Sequence, residues 1–163
     1  MTIDARIVRI HGDDIDTDVL YPGPFLDIED PELMKDHLFE GLDPALRERL
    51  GGDTALVVDA NFGCGSSREH VPQAMKASGV RCVIARSFAR IFYRNCINLG
   101  LLALAQPELS DAAEDGEVIS IDLERRTATL DGAVTPLRGL HPFIVEAVVV
   151  GGFVEWSRSH PPG

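Results

Sequence analysis

At 163 residues, 45% apolar and 25% charged, the chain has the length and composition of one ordinary globular domain, long enough to bury about two-thirds of its unfolded surface without staples. A net charge of −11 excludes a nucleic-acid surface, which needs clustered Lys and Arg, and disfavours an anionic membrane; a small anionic ligand then requires a local basic site. The opening MTIDARIVRI lacks a basic-then-apolar leader, and the longest apolar run, Ala147 to Val154, falls short of the roughly 18 residues of a membrane span. Three widely spaced cysteines read as reduced thiols, so the expected compartment is the cytoplasm.

In chain order, residues 3–10 alternate as a first strand. Gly12 to Asp30 is too rich in Gly, Pro and Asp for regular structure. Asp30-Pro31 is an N-cap and first-turn pair, opening a short helix with Leu33, Met34, His37 and Leu38 on one face, and Asp43-Pro44 repeats the signal before Gly51-Gly52. TALVVDA (54–60) predicts a buried strand. Ser66 to Ser78 predicts a helix stopped at Gly79, VRCVIAR (80–86) a strand, and Ser87 the cap of a helix reaching about Asn98. LLALA (101–105) follows Gly100 as a further strand. This order implies parallel pairing through crossovers, hence an α/β fold. After Pro107 short strands at 117–123, 127–130 and 133–137, parted by Arg125-Arg126 and Asp131-Gly132, read as an antiparallel hairpin section. Pro142 to Trp156 fits strand or helix, and a frayed tail is expected from about 157. No linker divides the chain, so 1–163 is read as one domain.

The chemistry concentrates in Asn61-Phe62-Gly63-Cys64-Gly65-Ser66-Ser67-Arg68-Glu69-His70, between a strand and a helix. Glycines 63 and 65 permit a tight turn and close approach to a ligand. Ser66 and Ser67 at a helix start would meet free N–H groups and the positive end of the dipole, and Arg68 adds a fork suited to a carboxylate. A serine hydroxyl there can serve as a base if the same donors stabilise its alkoxide. No Lys-Ser/Thr follows for a phosphate loop, and Arg68 breaks the serine-hydrolase elbow. The plainer role for these residues is a helix cap with a surface charge beside it.

GSSREH at Gly65–His70 resembles the signature of the mobile domain of the aconitase superfamily. NFGCGSSREHVPQAMKASGV and VIARSFARIFYRNCINLGLL are similar to the stand-alone small subunits of 3-isopropylmalate dehydratase and homoaconitase. Gly12-Asp13-Asp14-Ile15-Asp16-Thr17-Asp18 resembles the family's GDxIDTD segment, and the likeness runs from about Arg6 to Trp156. The resemblance implies a swivelling β/β/α domain, a mixed sheet, and a separate large subunit carrying a [4Fe–4S] cluster. It implies a hydro-lyase that removes and re-adds water on a hydroxy-dicarboxylate, with isomerisation of 2- and 3-isopropylmalate in leucine biosynthesis as the expected reaction.

Carried over by position, Ser66 becomes the base, Ser67 and Arg68 become carboxylate ligands, and Asp18 becomes an acid at the site's edge that orients a side chain of the partner. Asp18 reads otherwise as a loop carboxylate closing an Asx-turn. The spacing of Cys64, Cys82 and Cys96 fits no cluster motif, so no metal is expected in this chain and the site must be shared. The loop after the DTD segment is implied to reach the substrate's variable arm. There Phe25, Leu26 and Ile28 suit an apolar arm, and Asp27 and Glu29 would repel a third carboxylate. The remaining alternatives are a homoaconitase, citramalate (methylmalate) or dimethylmalate dehydratase subunit, a non-catalytic anion-binding module, or an RNA-binding regulator. His11, His37, His141 and His160 show no ligand spacing and read as structural or surface residues.

Overall fold

The computed structural model describes residues 1–163 and has the α/β architecture expected: one seven-stranded sheet in the order β4-β3-β2-β1-β5-β6-β7. β1 (Thr2–Arg9), β2 (Thr54–Val57), β3 (Val80–Ala85) and β4 (Leu102–Ala105) are parallel neighbours. β5 (Val118–Asp122), β6 (Thr127–Leu130) and β7 (Ala133–Pro136) extend the other edge of β1 as an antiparallel ladder. β2 is buried throughout, as an interior parallel strand covered on both faces must be. Side chains alternating across the sheet feed two cores. One holds Val8, Leu56, Val83, Leu20, Phe39 and Phe92; the other holds Ile7, Val57, Ile84, Ile119, Ile121 and Leu104.

Helices cover these faces: α1 (Thr17–Leu20), α2 (Pro31–Met34), α3 (His70–Ala77), α4 (Arg90–Asn98), α5 (Pro107–Ala112), α6 (Pro142–Val149) and α7 (Phe153–Ser159). No helix is long and apolar enough to cross a membrane. The Asp30 and Asp43 carboxylates cap as predicted, accepting from the Glu32 and Ala45 N–H groups. Leu33, however, is exposed, because the helix ends at Met34 and tightens into a 3-10 turn over Lys35–His37 that turns Leu33 away from the core.

Three expectations are corrected. The predicted helix from Ser66 starts only at His70, and Pro72 is the reason: its ring and missing N–H are tolerated only in a first turn. Ser87 does not cap α4; its hydroxyl accepts from the Asn61 N–H, and α4 has no side-chain cap. The strands predicted after Pro107 are β5 to β7, and Pro107 itself opens α5 ahead of them, with Leu109 and Ser110 buried. The C-terminal stretch is helical, and α7 continues to Ser159 where a frayed tail was expected. An Arg158–Glu155 ion pair and stacking of His160 on Trp156 secure its last turn.

Candidate active site

The loops leaving β1, β2 and β3 all emerge at the carboxyl edge of the parallel strands, where open α/β sheets form their clefts. There they continue to pair. Gly63 N–H donates to Ile15 O (2.9 Å) and Thr17 N–H to Cys64 O (2.9 Å), tying the first loop to the second. Phe62 N–H donates to Ser87 O (3.2 Å) and Ala89 N–H to Phe62 O (3.0 Å), tying the second to the third. Two glycines are obligatory. Gly63 has φ +82° and a Cβ there would lie 2.2 Å from Phe92 Cγ; Gly65 has φ +88° and its Cβ would lie 2.5 Å from an Asp16 carboxylate oxygen.

Ser66, Ser67 and Arg68 therefore sit in a loop ahead of α3, not in its first turn, and the helix end at this site belongs to α4. Its uncapped first turn, Ala89 to Phe92, lines a cavity of about 390 Å³ together with the serine loop. Free N–H groups at such an end attract anions. Thr17, Arg90, Arg94 and Asn95 complete the wall, and no carboxylate lines it. Arg90 and Arg94 take part in no salt bridge of the chain. This is the local basic site that an anionic ligand requires on a chain of net charge −11.

Within the loop, Ser66 is exposed and its hydroxyl makes no hydrogen bond, whereas its carbonyl accepts from Thr17 Oγ1 at 2.7 Å. Ser67 Oγ accepts from Asn95 Nδ2 at 3.2 Å. Arg68 donates to Tyr21 O at 2.6 Å and pairs with Asp18 Oδ1 at 2.8 Å; its side chain is 13% exposed and that of Asp18 56%. Asp18 thus joins the predicted group through Arg68, from outside the cavity wall.

Phe25, Leu26, Asp27 and Ile28 are not brought to the cavity. Phe25 stacks on His37 with ring centroids 3.7 Å apart, and both Phe25 and Ile28 pack on the core. Leu26 and Asp27 face solvent. The segment is pinned by Tyr21 Oη donating to Phe25 O (2.7 Å) and His70 Nε2 donating to Leu26 O (2.9 Å). Burial, then the nearby Asp27 carboxylate, push the Tyr21 hydroxyl above its usual range, so it stays a donor. A side chain at Gly23 would reach Arg68, since a Cβ there would lie 3.9 Å from Arg68 Nη2.

The sequence reading missed Arg90, Arg94 and Asn95. Arg90 and Arg94 are four residues apart on one helix face, and that i, i+4 pair of cations was the available signal. Cys82 is buried with its thiol pushed up to about 12, burial likewise pushes Cys96 up, and burial followed by Asp16 and Asp14 raises Cys64. All three stay protonated, and no three His, Cys, Asp or Glu side chains converge.

The chain is 46% identical to the 3-isopropylmalate dehydratase small subunit 1 of Methanopyrus kandleri over 94% of its own length and 91% of that protein's. It belongs to the 3-isopropylmalate dehydratase small-subunit family. A model of the aconitase C-terminal domain matches residues 40–109, which span the serine loop and α4. The crystal structure of 3-isopropylmalate dehydratase from Methanocaldococcus jannaschii superposes with a TM-score of 0.88 at 34% identity, covering 98% of this chain and 95% of that one. The family also contains the 2,3-dimethylmalate dehydratase small subunit of Eubacterium barkeri, 41% identical over 91% of this chain and 93% of that protein. The swivelling α/β fold of these hydro-lyase subunits is the fold described above.

Proposed function

We propose that this chain is the small subunit of a 3-isopropylmalate dehydratase, sharing one catalytic site with a large subunit and interconverting 2- and 3-isopropylmalate by loss and return of water. The observation that carries the reading is the convergence of Ser66, Ser67, Arg68, Arg90 and Arg94 on one cavity without a carboxylate in its wall. The substrate is a dicarboxylate, so two anionic groups need cationic or N–H partners. Arg68 and the Ser67 hydroxyl hold one; the first turn of α4 with Arg90 and Arg94 draws in the other.

Ser66 then takes the proton from the carbon beside a carboxylate. Its hydroxyl has no internal partner to surrender, and surrounding cations stabilise the alkoxide. A guanidinium at roughly 6 Å in an effective dielectric of about 20 contributes about 3 kcal/mol, about 2 pKa units. The Asp18–Arg68 pair is exposed on the Asp18 side, worth at most about 1 kcal/mol, so an arriving carboxylate displaces it cheaply. Freed, Asp18 is available to orient a side chain of the large subunit.

Departure of the hydroxyl calls for a Lewis acid, and the cysteines of this chain do not converge with one another or with other ligand side chains to hold a [4Fe–4S] cluster. That cluster belongs in the large subunit, the partner that the small-subunit names of the relatives imply. The heteromer works in the cytoplasm, where thiols stay reduced.

A second reading, 2,3-dimethylmalate as substrate, is favoured by the Eubacterium barkeri relative at 41% identity. The test is turnover of the chain assembled with its large subunit, each subunit alone serving as a blank. We expect kcat/KM for isopropylmalate to exceed that for dimethylmalate and for homoaconitate by about 10-fold or more, the scale on which a site discriminates related side arms. A preference for dimethylmalate would give the second reading, and activity of this chain alone would end the shared-site reading.

A further inference from the structure

The base proposed above sits in a loop, outside any helix or strand, and a proton acceptor must be held to a fraction of an ångström. One side chain grips the backbone at that residue. Thr17, 1% exposed and opening α1, donates its hydroxyl to Ser66 O at 2.7 Å, across 49 positions of sequence. Its own N–H donates to Cys64 O at 2.9 Å, so Thr17 holds the serine loop at two alternate carbonyls, those of Cys64 and Ser66 on either side of Gly65. The neighbouring Asp16 fills the space that a side chain at position 65 would need, which is why the loop can wrap this turn only as glycine. The Asp16 carboxylate is fixed in turn by the Asp18 N–H at 2.6 Å.

We infer that Thr17 is a positioning residue for the reaction: its buried hydroxyl fixes the Ser66 peptide and so aims the Ser66 hydroxyl into the cavity. The inference rests on reading Ser66 as the base. It gives the two separated motifs a single physical purpose, since the Asp16-Thr17 turn is the mould on which Gly63 to Ser66 is cast. Thr17 also borders the cavity, but its hydroxyl proton is committed to the Ser66 carbonyl, so its effect on substrate passes through Ser66. The expected signature is therefore a fall in kcat with little change in KM, because the carboxylate ligands Ser67 and Arg68 lie beyond the gripped carbonyl and Arg68 is tied separately to Tyr21 O.

The experiment compares wild type, Thr17→Val, Thr17→Ser and Ser66→Ala, each assembled with the large subunit, by kcat, KM and Tm. Thr17→Val keeps the shape and loses the donor, and kcat is expected to drop about 10- to 100-fold with KM within about twofold. Thr17→Ser keeps the donor and loses a methyl, and kcat is expected to return to within about threefold of wild type whatever its Tm. A packing role makes the contrary forecast, activity following Tm. If Thr17→Val does not assemble, Thr17→Ala against Thr17→Ser makes the same comparison, since both lack the methyl and only one has the hydroxyl. Wild-type kcat in Thr17→Val, or a loss confined to KM, overturns the inference. Ser66→Ala separates the two failures. If it is inactive while Thr17→Val is fully active, only the positioning role falls; if it stays active, the base assignment falls with it.

Discussion

The two halves of the sheet use similar short strands, yet only one of them makes a site. In the parallel half, β1, β2 and β3 point the same way, so their following loops lie side by side and knit together through Ile15–Gly63 and Phe62–Ser87–Ala89 contacts. In the antiparallel half, successive connections alternate between the two edges, and the tight turns at Arg125-Arg126 and Asp131-Gly132 have no neighbours to converge with. Chemistry needs groups from distant sequence at one point, and parallel pairing supplies that by topology. The hairpin half instead supplies core: Ile119, Ile121, Ala128 and Leu130 close one face of the sheet.

The strongest test of this contrast is a pair of glycines. Gly63 and Gly132 have φ of +82° and +77°, but only at Gly63 would a Cβ meet anything, the Phe92 ring. Gly132→Ala incurs backbone strain of about 1–2 kcal/mol, lowering Tm by a few degrees with activity intact. Gly63→Ala adds overpacking of about 1–3 kcal/mol and displaces α4 from the cavity, so Tm falls by about 10 °C and turnover is lost. Equal Tm losses would mean the site loops are no more tightly built than a hairpin.

A smaller effect separates the cations. Arg90→Gln with Arg94→Gln should raise KM about 10- to 100-fold, because two unpaired guanidiniums leave the cavity wall. Arg125→Gln with Arg126→Gln, in the hairpin turn, should leave KM unchanged. An unaltered KM in the first pair would remove α4 from the binding site.

The smallest effect is on acid stability. Burial pushes the Asp59 carboxyl up, but hydrogen bonds from Arg9 and the Gly12 N–H outweigh it and hold the group below the usual range. A carboxyl depressed in the folded state stabilises the fold above its unfolded pKa of about 3.9, and that stability is lost as pH falls through the folded value. Asp59→Asn should therefore reduce stability at pH 7 and flatten the acid limb of urea titrations below about pH 4.

Much of the frame was legible because burial imposes period and length: the alternating first strand, the apolar runs at 54, 80 and 101, and the turn chemistry at Asp131-Gly132 all translate directly. The misreadings have local causes. Pro72 fixes where α3 begins, and the Ser-Ser ahead of it imitated a cap. Pro142 to Trp156 stayed open between strand and helix because its β-branched residues speak for a strand, and packing decides for α6 and α7. At the site, Ser66 to Arg68 stood out by composition and glycine spacing. The Thr17 grip, the Asn95 donor and the role of α4 did not, since they arise only when loops 49 or 28 positions apart are brought together. The Phe25 to Ile28 loop was expected to reach the substrate's variable arm, and its backbone is instead pinned by Tyr21 and His70.

The central claim is that Ser66 acts as the base in a cavity completed by another subunit. The direct measurement is single-turnover conversion of isopropylmalate by the Ser66→Ala heteromer, with substrate binding and Tm recorded on the same sample. The account predicts assembly, a Tm within about 2 °C of wild type, near-normal substrate binding, and a rate lower by about 10³-fold or more, the scale of a lost catalytic base in a preorganised site. A Ser66→Ala complex that retains a tenth of the wild-type rate would contradict it.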